Sequence, residues 1–362
     1  MEHKNKSGEV RERRFAKARR VLENGIRARA FPGCAFGVLA GGEVVAQEGL
    51  GGFTYEADAT RVTAETVFDV ASLTKVVATT AAAMVLHQRG RLDLEVPAGA
   101  LVPEFVEGRS ADDPAQRIRL RHLLAHSSGL PAYVEFFRTA ENAVAALEAL
   151  MRLRVEAEPG ARAEYSDPGF MLLGKALEAV TGESLAVWVR REIYAALDMK
   201  ATGFCPAPEA RQAIPPTEEN AWLRHRRIQG EVQDENAWLL GGEAGHAGIF
   251  SHVPDLLGFA GEVLAAERLF ERATVELFAQ RQMPEGSSRA LGWDTPSGHS
   301  SSGRHFSAGS IGHLGYSGCS LWVDRAAGIA VALLTNRTWP DRKSPLIREI
   351  RPIFHDAVRE EM

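Results

Sequence analysis

Cysteine is scarce in this chain: three residues in 362, Cys34, Cys205 and Cys319. Cysteines so few and so scattered build neither a disulfide framework nor a zinc site, so free thiols are expected. A basic excess is missing too. The formal net charge of -5 leaves no cationic surface on which to argue nucleic-acid binding. No apolar run reaches the length of a membrane span. The first twenty residues, Met1 to Arg20, are charged throughout and lack the apolar centre of a secretory signal, so a cytoplasmic location is expected. Nothing points to a metal, a nucleotide or a flavin, and no cofactor is expected. There is no internal repeat, and the polar loop 297–310 is the one biased tract. What is present is an ordinary globular composition, 45% hydrophobic and 25% charged. That is enough for a large core in one big domain or two intimate ones.

Glu9 to Ala28 has helical periodicity, with Phe15, Ala18, Val21, Leu22 and Ile26 on one side and arginines on the other. Cys34 to Ala40 reads as a strand, Gly41-Gly42 as a tight turn, and Glu43 to Gln47 as the hairpin partner. Near the other end, Ser320 to Asp324 and Ile329 to Leu334 are separated by Arg325-Ala326-Ala327-Gly328, a second hairpin. A helix is expected from about Pro345 to Glu360. Between Leu92 and Leu240 the pattern is helical segments joined by Pro/Gly-rich loops, with little strand alternation. Gly241, Gly242, Gly245 and Gly248 then mark tight backbone approach. Strands at both ends and helices between predict an α/β (α+β) fold, one antiparallel sheet assembled from both termini with a mostly helical region inserted. On this reading residues 1–72 and 245–362 form the sheet domain and 73–244 the helical one, with an active site at the junction.

The chemistry centres on Phe68-Asp69-Val70-Ala71-Ser72-Leu73-Thr74-Lys75-Val76-Val77-Ala78-Thr79-Thr80. From Ser72 onward the run is apolar almost all round, which predicts a helix driven into the core with Ser72 in its first turn. Residues three apart share a helix face, so Lys75 stands beside the Ser72 hydroxyl. Ser-x-x-Lys at a buried helix start is an arrangement of active-serine acyl-transfer enzymes. Desolvation is expected to push the lysine pKa down, so that the amine accepts the serine proton near neutral pH. A helix start also offers free N–H groups to a developing oxyanion. By itself the tetrapeptide is commonplace, usually a cap followed by a surface lysine. Two further clusters decide the matter.

Glu164-Tyr165-Ser166-Asp167-Pro168-Gly169 sits in a loop between helices. Taken singly, Tyr165 reads as a half-buried turn residue. Near Ser72 and Lys75, its phenol would share or relay the serine proton. Ile311-Gly312-His313-Leu314-Gly315-Tyr316-Ser317-Gly318 enters a strand through three glycines. Alone it reads as a glycine-rich turn; beside the serine it lets a substrate lie along the strand edge, with a backbone N–H completing an oxyanion hole.

In this order and at these spacings, Ser72-Leu73-Thr74-Lys75, Tyr165-Ser166-Asp167 and His313-Leu314-Gly315 resemble the marks of the penicillin-recognising serine hydrolases. That group holds D-Ala-D-Ala peptidases, class C β-lactamases and family VIII carboxylesterases. The likeness extends through Arg121 to Pro131, Gly245 to Phe250 and Leu334 to Arg337, and so covers most of the chain from Phe31 onward. It implies the β-lactamase/transpeptidase-like fold. It also implies that Ser72 is acylated, that Lys75 and Tyr165 act together as base and then acid, and that the backbone N–H groups of Ser72 and Tyr316 form the oxyanion hole. Asp167, His313 and Gly315 would then touch the substrate. Two departures matter. Asp167 stands where the family has asparagine, adding charge and removing an amide donor. His313 replaces a lysine that engages carboxylates, and a neutral histidine binds them less well. Both lean toward neutral esters.

The expectation is a serine hydrolase acting on small carboxylic esters, with a small-molecule ester or amide as its partner. The alternative is a β-lactamase or D-Ala-D-Ala carboxypeptidase type of amide hydrolase; a non-catalytic binding protein of the same fold is the third reading. Other mechanisms fit worse. Gly315-Tyr316-Ser317-Gly318-Cys319 has cysteine where a nucleophile elbow needs its last glycine. His122 and His126 are four apart, but no glutamate follows His122 as a zincin requires, and they are read as packing the helix end. Trp293 is the tryptophan expected to line an acyl pocket. The sequence does not indicate an oligomeric state.

Overall fold

The computed structural model describes residues 14–220 and 222–362. The part of the first expected helix that precedes residue 14 lies outside the described residues. Helix α1 (Ala16–Arg27) leads into the hairpin β1 (Gly33–Ala40) and β2 (Glu43–Gly51), turned at Gly41 and Gly42, both at positive φ. A short strand β3 (Phe68–Asp69) then feeds the buried helical run. That run has three parts: a 3₁₀ turn Ala71–Leu73, a π-helical segment Lys75–Thr80, and α2 (Ala81–Gln88), stopped at Gly90 in the left-handed region.

The inserted region is largely helical, as the pattern predicts, with α3 (Leu120–Leu124) and α4 (Asp167–Thr181) bearing on the site. It also holds strands that alternation did not reveal. β4 (Gly203–Phe204) and the hairpin β5 (Glu218–Asn220) with β6 (Arg226–Ile228) are two or three residues long, too short for a period of two to register. β7 (Ile249–Ser251) pairs with both β3 and β4. After α5 (Val253–Ala265) come β8 (Ile311–Leu314), β9 (Ser320–Asp324), β10 (Ile329–Thr335) and α6 (Ile347–Glu360).

The large sheet runs β2-β1-β10-β9-β8, all antiparallel, with β1 and β10 paired from Cys34 opposite Thr335 to Ala40 opposite Ile329. Both termini build it. Side chains alternate across it as the strand pleat requires. Phe36, Val38, Trp322, Val331 and Leu333 face the layer formed by α1 and α6. Ala35, Leu39, Leu321, Val323, Ala332 and Leu334 face the main core, where Leu256, Leu257 and Ala260 of α5 meet the buried helical run. The buried helical run thus packs against α4, and the turn that opens it meets β7 and β8.

Candidate active site

Ser72 is presented by a strained entry. Ala71, just before it, sits at φ 49, a left-handed conformation that a non-glycine residue adopts only when its surroundings hold it there. The hold is Asp69, whose Oδ1 accepts the Ala71 N–H at 2.8 Å and whose Oδ2 accepts the Gln233 N–H at 2.7 Å. Burial pushes the Asp69 carboxyl up to about 6, against the opposing pull of those two bonds.

Lys75 is completely buried, and its three ammonium donors are all used. Nζ donates to Ser72 Oγ at 3.1 Å, to Asp167 Oδ1 at 2.7 Å and to the His246 carbonyl at 2.9 Å. Glycine makes the last contact possible. A Cβ on Gly245 would stand 2.3 Å from the Phe170 carbonyl, so only glycine lets this segment lie against α4 and bring the His246 carbonyl inward. The His246 ring in turn meets Asp234 Oδ1 at 3.0 Å. The lysine departs from the sequence expectation. Burial is the largest single influence and opposes its charge, but Asp167 and Tyr165 together outweigh it, and its pKa lies above the ordinary lysine value. At rest the residue is an ammonium ion, not a free amine.

Tyr165 OH donates to Ser72 Oγ at 2.9 Å. Burial raises its pKa, so the phenol keeps its proton at neutral pH. Tyr165 is placed by a residue that sequence reasoning assigned only to helix packing. His126, following α3 at φ 54, stacks on Tyr165 at 4.6 Å and on Phe170 at 4.9 Å, and its Nδ1 accepts the Ser166 N–H at 3.0 Å. Burial and nearby cations push its pKa well below the histidine range, so it is neutral. The signal available was its place directly before Ser127-Ser128-Gly129, where a chain reversal is due.

β8 supplies the opposite wall. A Cβ on Gly315 would stand 2.4 Å from the Val70 carbonyl, so the end of β8 packs backbone to backbone on the turn that leads into Ser72. Arg351 fastens that end by donating to the Gly315, Gly318 and Cys319 carbonyls. The His313 ring lies 6.0 Å from Tyr165. Its Nδ1 is 2.8 Å from the Leu314 carbonyl, which fixes the proton there and leaves Nε2 as an acceptor with no partner among the described residues. Burial and neighbouring cations hold this ring neutral as well.

Ser72, Tyr165, Asp167, His313, Gly315 and Tyr316 line one cleft of about 950 Å³. Trp293 does not. It is 1% exposed, stacks on Phe259 in the main core, and forms no part of the cleft wall. The loop carrying it turns its neighbours Arg289 and Asp294 to the cleft instead. No helix among the described residues is long and apolar enough to cross a membrane.

An ammonium and a phenol thus converge on one serine oxygen in the cleft wall, an arrangement suited to a serine hydrolase. Residues 18–351 match the Beta-lactamase family, and the chain belongs to it. Among curated relatives, it is 30% identical to the N-acetylmuramyl-L-alanine amidase of Bacillus subtilis (strain 168), over 90% of this chain and 81% of that protein. Among solved structures it shares its fold with EstCE1, a hydrolase with promiscuous acyltransferase activity. That similarity has a TM-score of 0.76 at 21% identity, covering 95% of this chain and 97% of the other. A penicillin-binding protein homologue from Caulobacter crescentus has a TM-score of 0.75 at 17% identity, covering 97% and 98%.

Proposed function

We propose that this protein hydrolyses small carboxylic esters through an acyl-enzyme formed on Ser72. The observation that carries the reading is the convergence of Lys75 Nζ and Tyr165 OH, at 3.1 and 2.9 Å, on one serine oxygen in the wall of a substrate-sized cleft. Both neighbours hold protons at rest, so the reactive form is the one from which the cluster has lost a proton. The amine or phenolate then takes the serine hydrogen while Oγ adds to the carbonyl carbon. The proton passes from there to the departing alkoxide, and water, deprotonated by the same pair, releases the acid. The Ser72 and Tyr316 backbone N–H groups serve as the oxyanion hole, a role supported by the packing of Gly315 on Val70.

Neutral His313 and anionic Asp167, in place of a lysine and an amide, support esters over β-lactams. Amide hydrolysis is the second reading, favoured by the amidase named in Bacillus subtilis. The test is kcat/KM for a short-chain p-nitrophenyl ester, the matched p-nitroanilide and a chromogenic cephalosporin, each with wild type and Ser72→Ala. Ester turnover should exceed both amides and vanish in the variant. Anilide or cephalosporin turnover above the ester would replace the ester reading with the amide one. Ester turnover surviving in the variant would remove Ser72 from the mechanism.

A further inference from the structure

Four consecutive residues, Gln233 to Asn236, lie at the start of the short helix Glu235–Leu239, and each reaches a different part of the site. The Gln233 N–H is held by Asp69 Oδ2 at 2.7 Å, and the other oxygen of Asp69 holds Ala71, directly before Ser72. Asp234 Oδ1 meets His246 Nε2 at 3.0 Å, and the His246 carbonyl accepts from Lys75 Nζ at 2.9 Å. Glu235 Oε1 accepts from Arg342 at 2.6 Å. The Arg342 carbonyl accepts in turn from Arg337, which donates to the Tyr316 carbonyl at 2.7 Å. Asn236 accepts the Phe137 N–H at 3.2 Å and donates to the Val134 carbonyl at 2.8 Å, which fixes the stretch of cleft wall carrying Tyr133 and Phe137. Gln233, Glu235 and Asn236 are buried, so these bonds form away from competing water.

Asp234 has the shortest route to the group that carries the proton. Burial opposes its charge, but His246 and Lys75 outweigh it and hold the carboxyl down at about 2. A carboxylate only accepts, so His246 donates from Nε2, and the bond ties the segment that delivers the His246 carbonyl to the start of the short helix. The same Oδ1 accepts the Ala237 N–H at 2.8 Å, an ordinary helix cap. A cap needs only a short polar side chain; the reach to His246 needs a longer one. We infer that Asp234 is a positioning residue of this site: through His246 it sets where the Lys75 ammonium stands against Ser72 Oγ. This rests on the acyl-transfer reading above. The Gln233 N–H beside it steadies the turn that leads into Ser72, so nucleophile and base are located from one segment of chain.

Three variants separate the link from the cap. In Asp234→Asn the amide oxygen accepts both bonds. In Asp234→Ser the hydroxyl still caps the helix but is one bond too short for His246. His246→Ala cuts the same link from its other end. With a short-chain p-nitrophenyl ester, Asp234→Ser and His246→Ala should each lower kcat about 10–100-fold, with KM within about threefold of wild type. Asp234→Asn should stay within about fivefold of wild type. The double variant of Asp234→Ser and His246→Ala should lose no more than the worse single one, because both remove one bond. A folded Asp234→Ser or His246→Ala with wild-type kcat overturns the inference. So does an Asp234→Asn as slow as Asp234→Ser, which would make the effect one of charge, and so do losses that multiply in the double variant. Where neither link variant folds, ¹⁵N NMR of the wild-type protein reads the bond itself: a proton on His246 Nε2 supports the assignment, and one on Nδ1 alone overturns it. Wild-type turnover that survives Ser72→Ala removes the acyl-transfer reading and this inference with it. Turnover that needs Ser72 but ignores the Asp234–His246 link removes this inference alone.

Discussion

Replacing Asp167 by asparagine tests the electrostatics of the site most directly, because it restores the family's residue and removes a single charge. In the wild-type protein a fully buried ammonium sits 2.7 Å from a carboxylate that is itself 15% exposed. Breaking one half of a buried pair costs about 3–5 kcal/mol. A second route gives a similar ceiling. Lys75 can escape by discharging, and discharging a lysine of ordinary pKa at pH 7 costs about 4.6 kcal/mol at 1.36 kcal/mol per pH unit. For a chain of this size that is a fall in Tm of roughly 4–7 °C at neutral pH. The pH dependence has a definite sign. The folded-state pKa of Lys75 is raised, so its contribution is fully present below the ordinary lysine pKa and is lost as pH rises through the folded value. The Tm gap between wild type and Asp167→Asn should therefore be wide at pH 7 and close on the alkaline side of pH 10. Catalysis should move the other way. Without the carboxylate, the cluster gives up its proton more readily, and the acidic limb of kcat/KM for a p-nitrophenyl ester should shift to lower pH. Melting curves from pH 6 to about 12, with pH–rate profiles over the same range, decide it. An unchanged acidic limb together with a Tm gap constant across that range would refute the assignment of Lys75 as an ammonium held by Asp167.

Tyr165→Phe removes one of the two proton-bearing neighbours of Ser72 and leaves the ring stacked between His126 and the cleft. The expectation is a fall in kcat of about 10²–10⁴ with little change in Tm, measured by ester turnover and calorimetry. His126→Ala leaves the buried Ser166 N–H without its acceptor and takes the stacking partner from Tyr165. It should cost about 1–3 kcal/mol of stability and lower kcat more than it raises KM. His126→Asn, which tolerates the left-handed backbone, should recover more of the stability than alanine does.

Much of this was written locally. The two hairpins could be located because alternation and turn residues lie within ten residues of each other, and they place both ends of the chain in one sheet. Ser72 and Lys75 were legible for the same reason: helical spacing alone puts i and i+3 on one face, and the 3.1 Å contact follows. Tyr165 and His313 were reached only through resemblance to a family, since nothing local says that residue 165 lies beside residue 72. The short strands 203–204, 218–220 and 226–228 left no periodic trace, because two or three residues cannot show one.

What the tertiary structure decided are the properties that depend on partners far away in the chain. Burial of Lys75 could be inferred from its apolar neighbours, and burial alone lowers a lysine pKa. A carboxylate 92 positions away reverses that result. Trp293 and Arg289 sit four residues apart with no pattern to rank them, and packing sent the tryptophan to the core and the arginine to the cleft. Residue identity and short-range spacing set which groups are available for chemistry; the charge each one carries is an energy difference summed over its three-dimensional surroundings, and only the folded chain supplies those.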